Sequence, residues 1–146
     1  MNESTFRRFP VHGAAGLVLV AIFWPLNWLL EGPRTHTLFF PLWLGYILAV
    51  DGLVFARRGH SIFKRSRQEF VLLFLVSAPA WWVFELFNLR TRNWVYVGAE
   101  LFSDLEYALL ATISFSTVMP AVFVSSELVR SWAWVEALPE GPRVRT

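Results

Sequence analysis

Residues 70–89 read FVLLFLVSAPAWWVFELFNL, a run of twenty residues in which only Glu85 carries a charge. A helix that crosses the roughly 30 Å of hydrocarbon in a bilayer needs about 20 mainly apolar residues. A lone strand of this composition would leave its backbone N–H and C=O groups unpaired in lipid. The run therefore predicts a transmembrane helix.

Three further stretches have the same character, at about residues 11–30, 37–56 and 105–129. The chain of 146 residues is 55% hydrophobic and 16% charged, with a mean hydropathy of +0.47, whereas soluble domains carry about 25% charged residues. The strict alternation of apolar and polar residues that marks membrane barrels is missing. We therefore predict an all-α fold: one domain, residues 1–146, built as a bundle of four transmembrane helices. Each stretch holds one proline, and we expect a kink at each: Pro25, Pro41, Pro79 and Pro120.

The basic residues predict the orientation of this bundle. The connector 57–69 holds five of the thirteen, and placing it in the cytoplasm follows the positive-inside rule. The N-terminal arm and the tail 130–146 then fall on the same side, so both ends are cytoplasmic, as in a multi-pass protein of the bacterial inner membrane. Ten basic residues then lie inside, and three lie outside: Arg34, Arg90 and Arg92. We expect the first apolar run to be retained, since no small-residue cleavage site follows a short apolar core.

Several function classes are disfavoured by what the chain lacks. It has no cysteine, its net charge is only +2, and its basic residues sit between apolar blocks, so we expect no thiol chemistry and no nucleic-acid partner. The three histidines are far apart in the sequence and are expected to be interfacial polar residues: His12, His36 and His60. No phosphate-binding glycine loop or serine-hydrolase motif is present. We predict neither a metal nor a cofactor.

Two acidic residues within the apolar stretches call for an explanation, because ionisable groups are costly in hydrocarbon. Asp51 lies close to the predicted cytoplasmic boundary, and we expect a structural ion pair with Arg57 or Arg58. Glu85 lies deeper, about 22 Å from the cytoplasmic edge at 1.5 Å per residue. It is the more informative of the two.

Glu85 shares one helix face with Trp81, Asn88 and Arg92, since the spacings are four, three and four residues. The same depth estimate brings Asn27 of the first helix to this level, and with it three tryptophans: Trp24, Trp28 and Trp43. These residues predict a pocket in the outer leaflet with an aromatic wall. The alternative is an interfacial aromatic belt in which Glu85 forms a structural ion pair with an arginine.

A carboxyl group walled by tryptophans is desolvated, and desolvation favours its protonated form. Such a group can serve as a general acid, and electron-rich aromatic faces stabilise a cation. The pocket would thus suit proton-initiated chemistry on an isoprenoid or polyene dissolved in the bilayer.

The order of residues around Glu85 resembles the small membrane lycopene cyclase domain of bacterial and archaeal carotenoid pathways. Glu85 is followed by the turn LRTRN, by Trp94-Val95-Tyr96, and by Ser103-Asp104-Leu105-Glu106 at the start of the next helix. The resemblance covers about residues 78–127 and implies acid/base roles for Glu85 and Glu106, with Trp94 and Tyr96 in the substrate pocket. The chain departs from the family at Ser103, where a proline is usual, and it lacks the doubled glutamate.

Two other functions fit the same residues. A non-catalytic membrane subunit could use the aromatic, polar groove to bind a lipid or a partner helix. A small transporter is also conceivable, and would require a homo-oligomer because four helices are few for one pathway.

Overall fold

The computed structural model describes residues 8–32 and 37–138, and most of these residues are helical, with no strand among them. The long helices are α1 (Val11–Leu29), α2 (Phe39–Arg58) and α4 (Arg67–Thr91). A fourth long unit consists of α5 (Asp104–Phe115) and α6 (Val118–Arg130). Short helices are α3 (Ile62–Arg65), a 3-10 turn at Ala99–Leu101, and α7 (Ala133–Glu136).

The structure confirms an all-α fold with four helices that are long and apolar enough to cross a membrane. Their bounds are Val11–Leu29, Phe39–Arg58, Arg67–Thr91 and Asp104–Arg130, within a few residues of those predicted. Large apolar side chains are exposed along all four of them, as contact with lipid requires. Arg34 and His36 lie outside the described residues, as do three basic residues of the N-terminal arm and the tail: Arg7, Arg143 and Arg145.

The helices α1 and α2 form a tight antiparallel hairpin at glycine contacts. A Cβ atom added to Gly52 would lie 2.6 Å from the Cα atom of Gly13, and one added to Gly16 would lie 2.6 Å from the carbonyl oxygen of Gly45. Small residues let helix backbones approach this closely in membranes. Helix α6 packs between α2 and α4. The core at their contact consists of Ile47, Ile62, Phe70, Ala121 and Val124.

Of the four prolines at which a kink is predicted, one, Pro120, closely follows a break in the helix. Helices α1 and α4 continue through Pro25 and Pro79. Pro41 lies in the first turn of α2. The N–H groups of a first turn have no partner within the helix, so proline costs no hydrogen bond there. The last predicted span is broken at residues 116–117, four residues or fewer before Pro120, because proline cannot donate to the carbonyl at Ser116 and its ring crowds that carbonyl.

The connector 57–69, which was predicted to be a loop, is structured. Helix α2 ends at Gly59, which adopts the left-handed conformation that favours glycine at this position. Ser66 accepts a hydrogen bond from the Glu69 amide at 3.1 Å and so caps α4, which therefore begins at Arg67. We call this end of the bundle, where α1 and α4 begin and α2 and α6 end, the basic end.

The expected pairing of Asp51 with Arg57 or Arg58 is wrong, since its partner is His12. Asp51 is fully buried, with His12 Nε2 at 2.9 Å, and it accepts hydrogen bonds from the Ser61 hydroxyl at 2.6 Å and the Phe63 amide at 3.1 Å. The side chain of His12 is only 9% exposed, so it is packed inside the basic end. The physical reason is the close α1–α2 contact, which brings His12 next to Asp51 inside the bundle. The three donors join α1 and the connector to α2.

Three arginines of the basic end face the last turns of α6 and the chain that follows it. Arg57 donates to Ser131 Oγ at 2.7 Å, and Arg58 pairs with Glu136. Arg65 pairs with Glu127 at 3.3 Å. These contacts fasten α2 and α3 to the C-terminal end of α6.

Candidate functional site

A cavity of about 560 Å³ lies at the opposite end of the bundle, where α1 and α4 finish and α2 and α5 begin. We call this the aromatic end. Fourteen residues line the cavity: Asn27, Phe39, Trp81, Val95, Tyr96, Val97, Ala99, Phe102, Tyr107, Leu110, Ala111, Ser114, Phe115 and Val118. Most of them are apolar or aromatic, and the volume lies in the range of small-molecule sites.

The carboxylate of Glu85 is held by two side chains of the segment that follows α4. Glu85 Oε1 accepts a hydrogen bond from the Tyr96 hydroxyl at 2.6 Å and another from the Trp94 indole nitrogen at 3.1 Å. Because an indole N–H can only donate, Trp94 fixes this oxygen as an acceptor. Tyr96 is one of the residues that line the cavity, so its hydroxyl connects the cavity to Glu85.

Asn88, one turn further along α4, binds the main chain of the same segment. Its amide nitrogen donates to the carbonyl oxygen of Trp94 at 3.0 Å, and its amide oxygen accepts from the Trp94 N–H at 3.2 Å. The side chain thus satisfies both backbone groups of one residue, as a neighbouring strand would. The predicted helix face of Glu85 and Asn88 is present, and its function is to hold residues 94–96 against α4.

Tyr96 stands between Glu85 and the aromatic wall. Its ring centroid lies 6.3 Å from those of Tyr107 and Phe115, within the range of favourable aromatic pairs. Burial raises the pKa of Tyr96 above its usual 10.0, and the hydrogen bond to Glu85 raises it further. Tyr96 is therefore a neutral hydroxyl at physiological pH, with its proton directed to Glu85.

The other predicted site residues are divided between the cavity and its surroundings. Asn27 and Trp81 line the cavity, and the Asn27 amide nitrogen also donates to the Phe23 carbonyl at 3.0 Å. Arg92 follows the end of α4 in the left-handed conformation, with its side chain exposed, and it is not among the lining residues of the described chain.

Glu106, the second predicted carboxylate, caps a helix. Its Oε2 accepts from the amide and hydroxyl of Ser103 at 3.0 and 2.7 Å, and the Ser103 hydroxyl accepts from the Glu106 amide. This reciprocal capping box begins α5. The side chain of Glu106 is exposed, and its predicted catalytic role stays a prediction.

The aromatic wall includes the predicted Trp81 and Tyr96, but its other rings are residues that were not expected. Trp24 and Trp28 are 57% and 79% exposed on α1, so they face outward. The contribution of α5 was not predicted, although a signal was present: Tyr107, Leu110 and Ser114 recur at three- and four-residue spacing, which marks one helix face.

The arrangement can hold an apolar molecule against a phenol that is backed by a carboxylate. Within residues 8–32 and 37–138, no group of three or more histidine, aspartate or glutamate side chains could hold a metal ion. No family model, no curated protein and no solved structure matches the chain.

Proposed function

We propose that this chain is a multi-pass protein of the bacterial cytoplasmic membrane, with both ends in the cytoplasm, and that it binds an uncharged, lipid-soluble molecule in the cavity at the aromatic end. The positive-inside rule supports the orientation, since the basic end carries most of the basic residues. The cavity would then lie in the outer leaflet.

The composition of the cavity wall carries the proposal. The fourteen lining residues, all within the described chain, include no charged side chain. A charged ligand would lose its hydration there without a counter-ion, which is costly. An apolar molecule, by contrast, gains contact with Trp81, Phe102 and Phe115, and it can place one polar group near Tyr107 or Ser114.

The test is extraction of the purified protein. We expect organic solvent to release a lipophilic molecule that mass spectrometry detects in stoichiometric amount. Leu110→Trp should fill the cavity and lower the bound amount severalfold. Leu109→Trp is the matched control, since Leu109 is the neighbouring residue on α5 and is 57% exposed. Equal loss from both variants, or equal retention by both, contradicts binding in the cavity.

A second candidate is an acid/base enzyme that acts on an isoprenoid-like lipid, as the resemblance to lycopene cyclases implies. The 2.6 Å hydrogen bond between Tyr96 and Glu85 supports it, because a hydroxyl at the cavity wall with a carboxylate behind it can pass a proton in either direction. Tyr96 would then contact the substrate, and Glu85 would exchange the proton with Tyr96.

Expression in a lycopene-producing host tests this second candidate. We expect a change of pigment with the native chain, and loss of that change with Glu85→Gln and with Tyr96→Phe at equal protein levels. Tyr107→Phe should retain activity, since Tyr107 also lines the cavity and differs in having no part in the Tyr96–Glu85 hydrogen bond. Unchanged pigment in all strains would leave ligand binding as the function.

A further inference from the structure

A groove of about 300 Å³ lies at the basic end, between α3, α4 and α6. It shares no lining residue with the cavity at the aromatic end. Its residues on α4 fall on one helix face, because they are three or four positions apart: Glu69, Leu72, Leu73 and Val76. Arg65 of α3 and Phe123 of α6 complete the opposite side. We call this hollow the lateral groove.

The lateral groove joins a charged mouth to an apolar floor. Glu69 and Val76 are seven residues apart, or about 10.5 Å along the axis of α4. Beyond Glu69 the lining is apolar, and much of it is exposed: Leu72 by 55%, Val76 by 44% and Phe123 by 47%. Helix α4 begins at Arg67 and is apolar enough to cross a membrane. The groove therefore starts at the level of the lipid headgroups and runs into the hydrocarbon, as a phospholipid does.

The mouth carries one basic and two acidic side chains. Both terminal nitrogens of Arg65 donate to Glu127 Oε1 at 3.3 Å, whereas Arg65 Nε lies 3.8 Å from Glu69 Oε2, which is longer than a hydrogen bond. Glu127 Oε2 is buried and has no hydrogen-bond partner within residues 8–32 and 37–138. The charge of Arg65 therefore balances that of Glu127, and the negative charge of Glu69 remains.

This charge pattern selects among lipid headgroups. The phosphate of an anionic lipid would meet a mouth of net negative charge, which is unfavourable. A zwitterionic headgroup offers a partner for each sign. Its phosphate can accept from Arg65, because a guanidinium group has five N–H donors and the contacts to Glu127 do not use all of them. Its ammonium can pair with Glu69.

The ammonium group of the headgroup also matters. A primary ammonium donates charge-assisted hydrogen bonds to a carboxylate. The trimethylammonium group of choline has no N–H and cannot donate them. The exposed carboxylate of Glu69 is thus better matched by ethanolamine than by choline.

We propose that the lateral groove binds one molecule of phosphatidylethanolamine from the leaflet at the basic end. The ammonium lies on Glu69 and the phosphate on Arg65. One acyl chain then follows the apolar floor along Leu72, Val76 and Phe123. The site is separate from the cavity at the aromatic end, so it does not rest on the proposed function.

Native mass spectrometry of the purified protein tests the headgroup. Phosphatidylethanolamine and phosphatidylcholine with identical acyl chains are added in equal amounts. We expect one phosphatidylethanolamine per chain, at severalfold higher occupancy than phosphatidylcholine, and we expect Glu69→Gln to abolish this preference. Glu136→Gln is the control and should keep it, because Glu136 is as exposed as Glu69, 62% against 61%, but does not line the groove. Equal occupancy in the native chain, or preference for added phosphatidylglycerol, overturns the proposal.

A second pair of variants tests the place of binding. Val76→Trp should fill the groove and lower the occupancy of phosphatidylethanolamine severalfold. Val83→Trp, two turns further along α4, is the control, because Val83 is 50% exposed and does not line the groove. Equal effects of the two substitutions overturn binding in the groove. Phe123→Ala, which removes the wall on α6, repeats the measurement if Val76→Trp does not fold.

The outcome is distinguishable from that of the proposed function. A protein that retains phosphatidylethanolamine but holds no ligand in the cavity at the aromatic end supports the lateral groove and contradicts only the proposed function. Leu110→Trp, which fills that cavity, should leave the occupancy of phosphatidylethanolamine unchanged. Loss of phosphatidylethanolamine from Leu110→Trp would place the lipid in the cavity and overturn the proposal.

Discussion

The hydroxyl group of Ser77 replaces a main-chain hydrogen bond that Phe115 would otherwise accept from its own helix. Ser77 donates to the Phe115 carbonyl at 2.5 Å and accepts from the Met119 amide at 3.0 Å. In an unbroken α-helix these two main-chain groups, four residues apart, would bond to each other. A side chain of α4 thus occupies the break between α5 and α6.

We expect Ser77→Ala to destabilise the protein by about 1–3 kcal/mol, because it leaves two main-chain groups of α5 and α6 without a partner in a buried place. Ser77 is only 1% exposed, so water cannot replace the hydroxyl without rearrangement. The measurement is the midpoint of unfolding in detergent.

Ser116→Ala is the control for this variant. The Ser116 hydroxyl donates to the Ile113 carbonyl of its own helix at 2.6 Å, and its loss should change the stability by about 0.5 kcal/mol or less. Equal destabilisation by both substitutions would mean that Ser77 does not bridge the break.

Asp51→Leu should destabilise the basic end by at least about 3 kcal/mol, since three buried or part-buried donors lose their acceptor at about 1–3 kcal/mol each. The ring of His12, the hydroxyl of Ser61 and the amide of Phe63 would lose their common acceptor. The expected result in detergent is a lower unfolding midpoint and early proteolysis of the connector 57–69.

Glu136→Gln serves as the control, because it removes an ion pair with Arg58 in which Glu136 is 62% exposed. An exposed ion pair of this kind stabilises a protein by at most about 1 kcal/mol. If the control is the more harmful, Asp51 does not organise this end.

The helices could be predicted because the thickness of a bilayer sets a length that the apolar stretches of the sequence match. The face of Trp81, Glu85 and Asn88 could be predicted for a similar reason, since helix periodicity alone places these residues together. Only the resemblance placed Trp94 and Tyr96 in the pocket with Glu85, because they reach this face through the left-handed turn at Arg92. Periodicity does not predict that turn.

Contacts between helices could not be predicted from the sequence for a different reason. The pairing of His12 with Asp51 depends on how closely α1 approaches α2, and that distance is set by Gly13 and Gly52 on facing surfaces. Ser77 lay within a predicted span, but its bonding to Phe115 and Met119 depends on the register of α4 against the break. Distances and registers of this kind arise from packing and not from the pattern of a single helix.

The ionisation of Tyr96 should weaken the attachment of residues 94–96 to α4 at high pH. Its pKa is raised above 10.0, first by burial and then by the hydrogen bond to Glu85, so the folded state holds the proton more tightly than the unfolded state. The stabilisation is complete below pH 10 and is lost as the pH rises through the pKa of the folded state. Absorbance at 295 nm, as the difference between the native chain and Tyr96→Phe, measures this pKa. We expect it above 10 and expect Glu85→Gln to lower it; a midpoint at or below 10 contradicts the geometry.

Arg92→Gly should leave the protein at least as stable as the native chain, because glycine adopts the left-handed conformation without the cost of a Cβ atom, which is about 1–2 kcal/mol. Arg92→Val should be clearly destabilising, since a β-branched residue is poorly accommodated at positive φ. Unfolding midpoints in detergent measure both effects.

Arg92→Gly also tests the prediction that Arg92 binds the substrate. The side chain of Arg92 is exposed at the turn and does not line the cavity, so Arg92→Gly should retain the lipophilic ligand in full. A stable Arg92→Gly protein that has lost its ligand would instead show that the guanidinium group binds it.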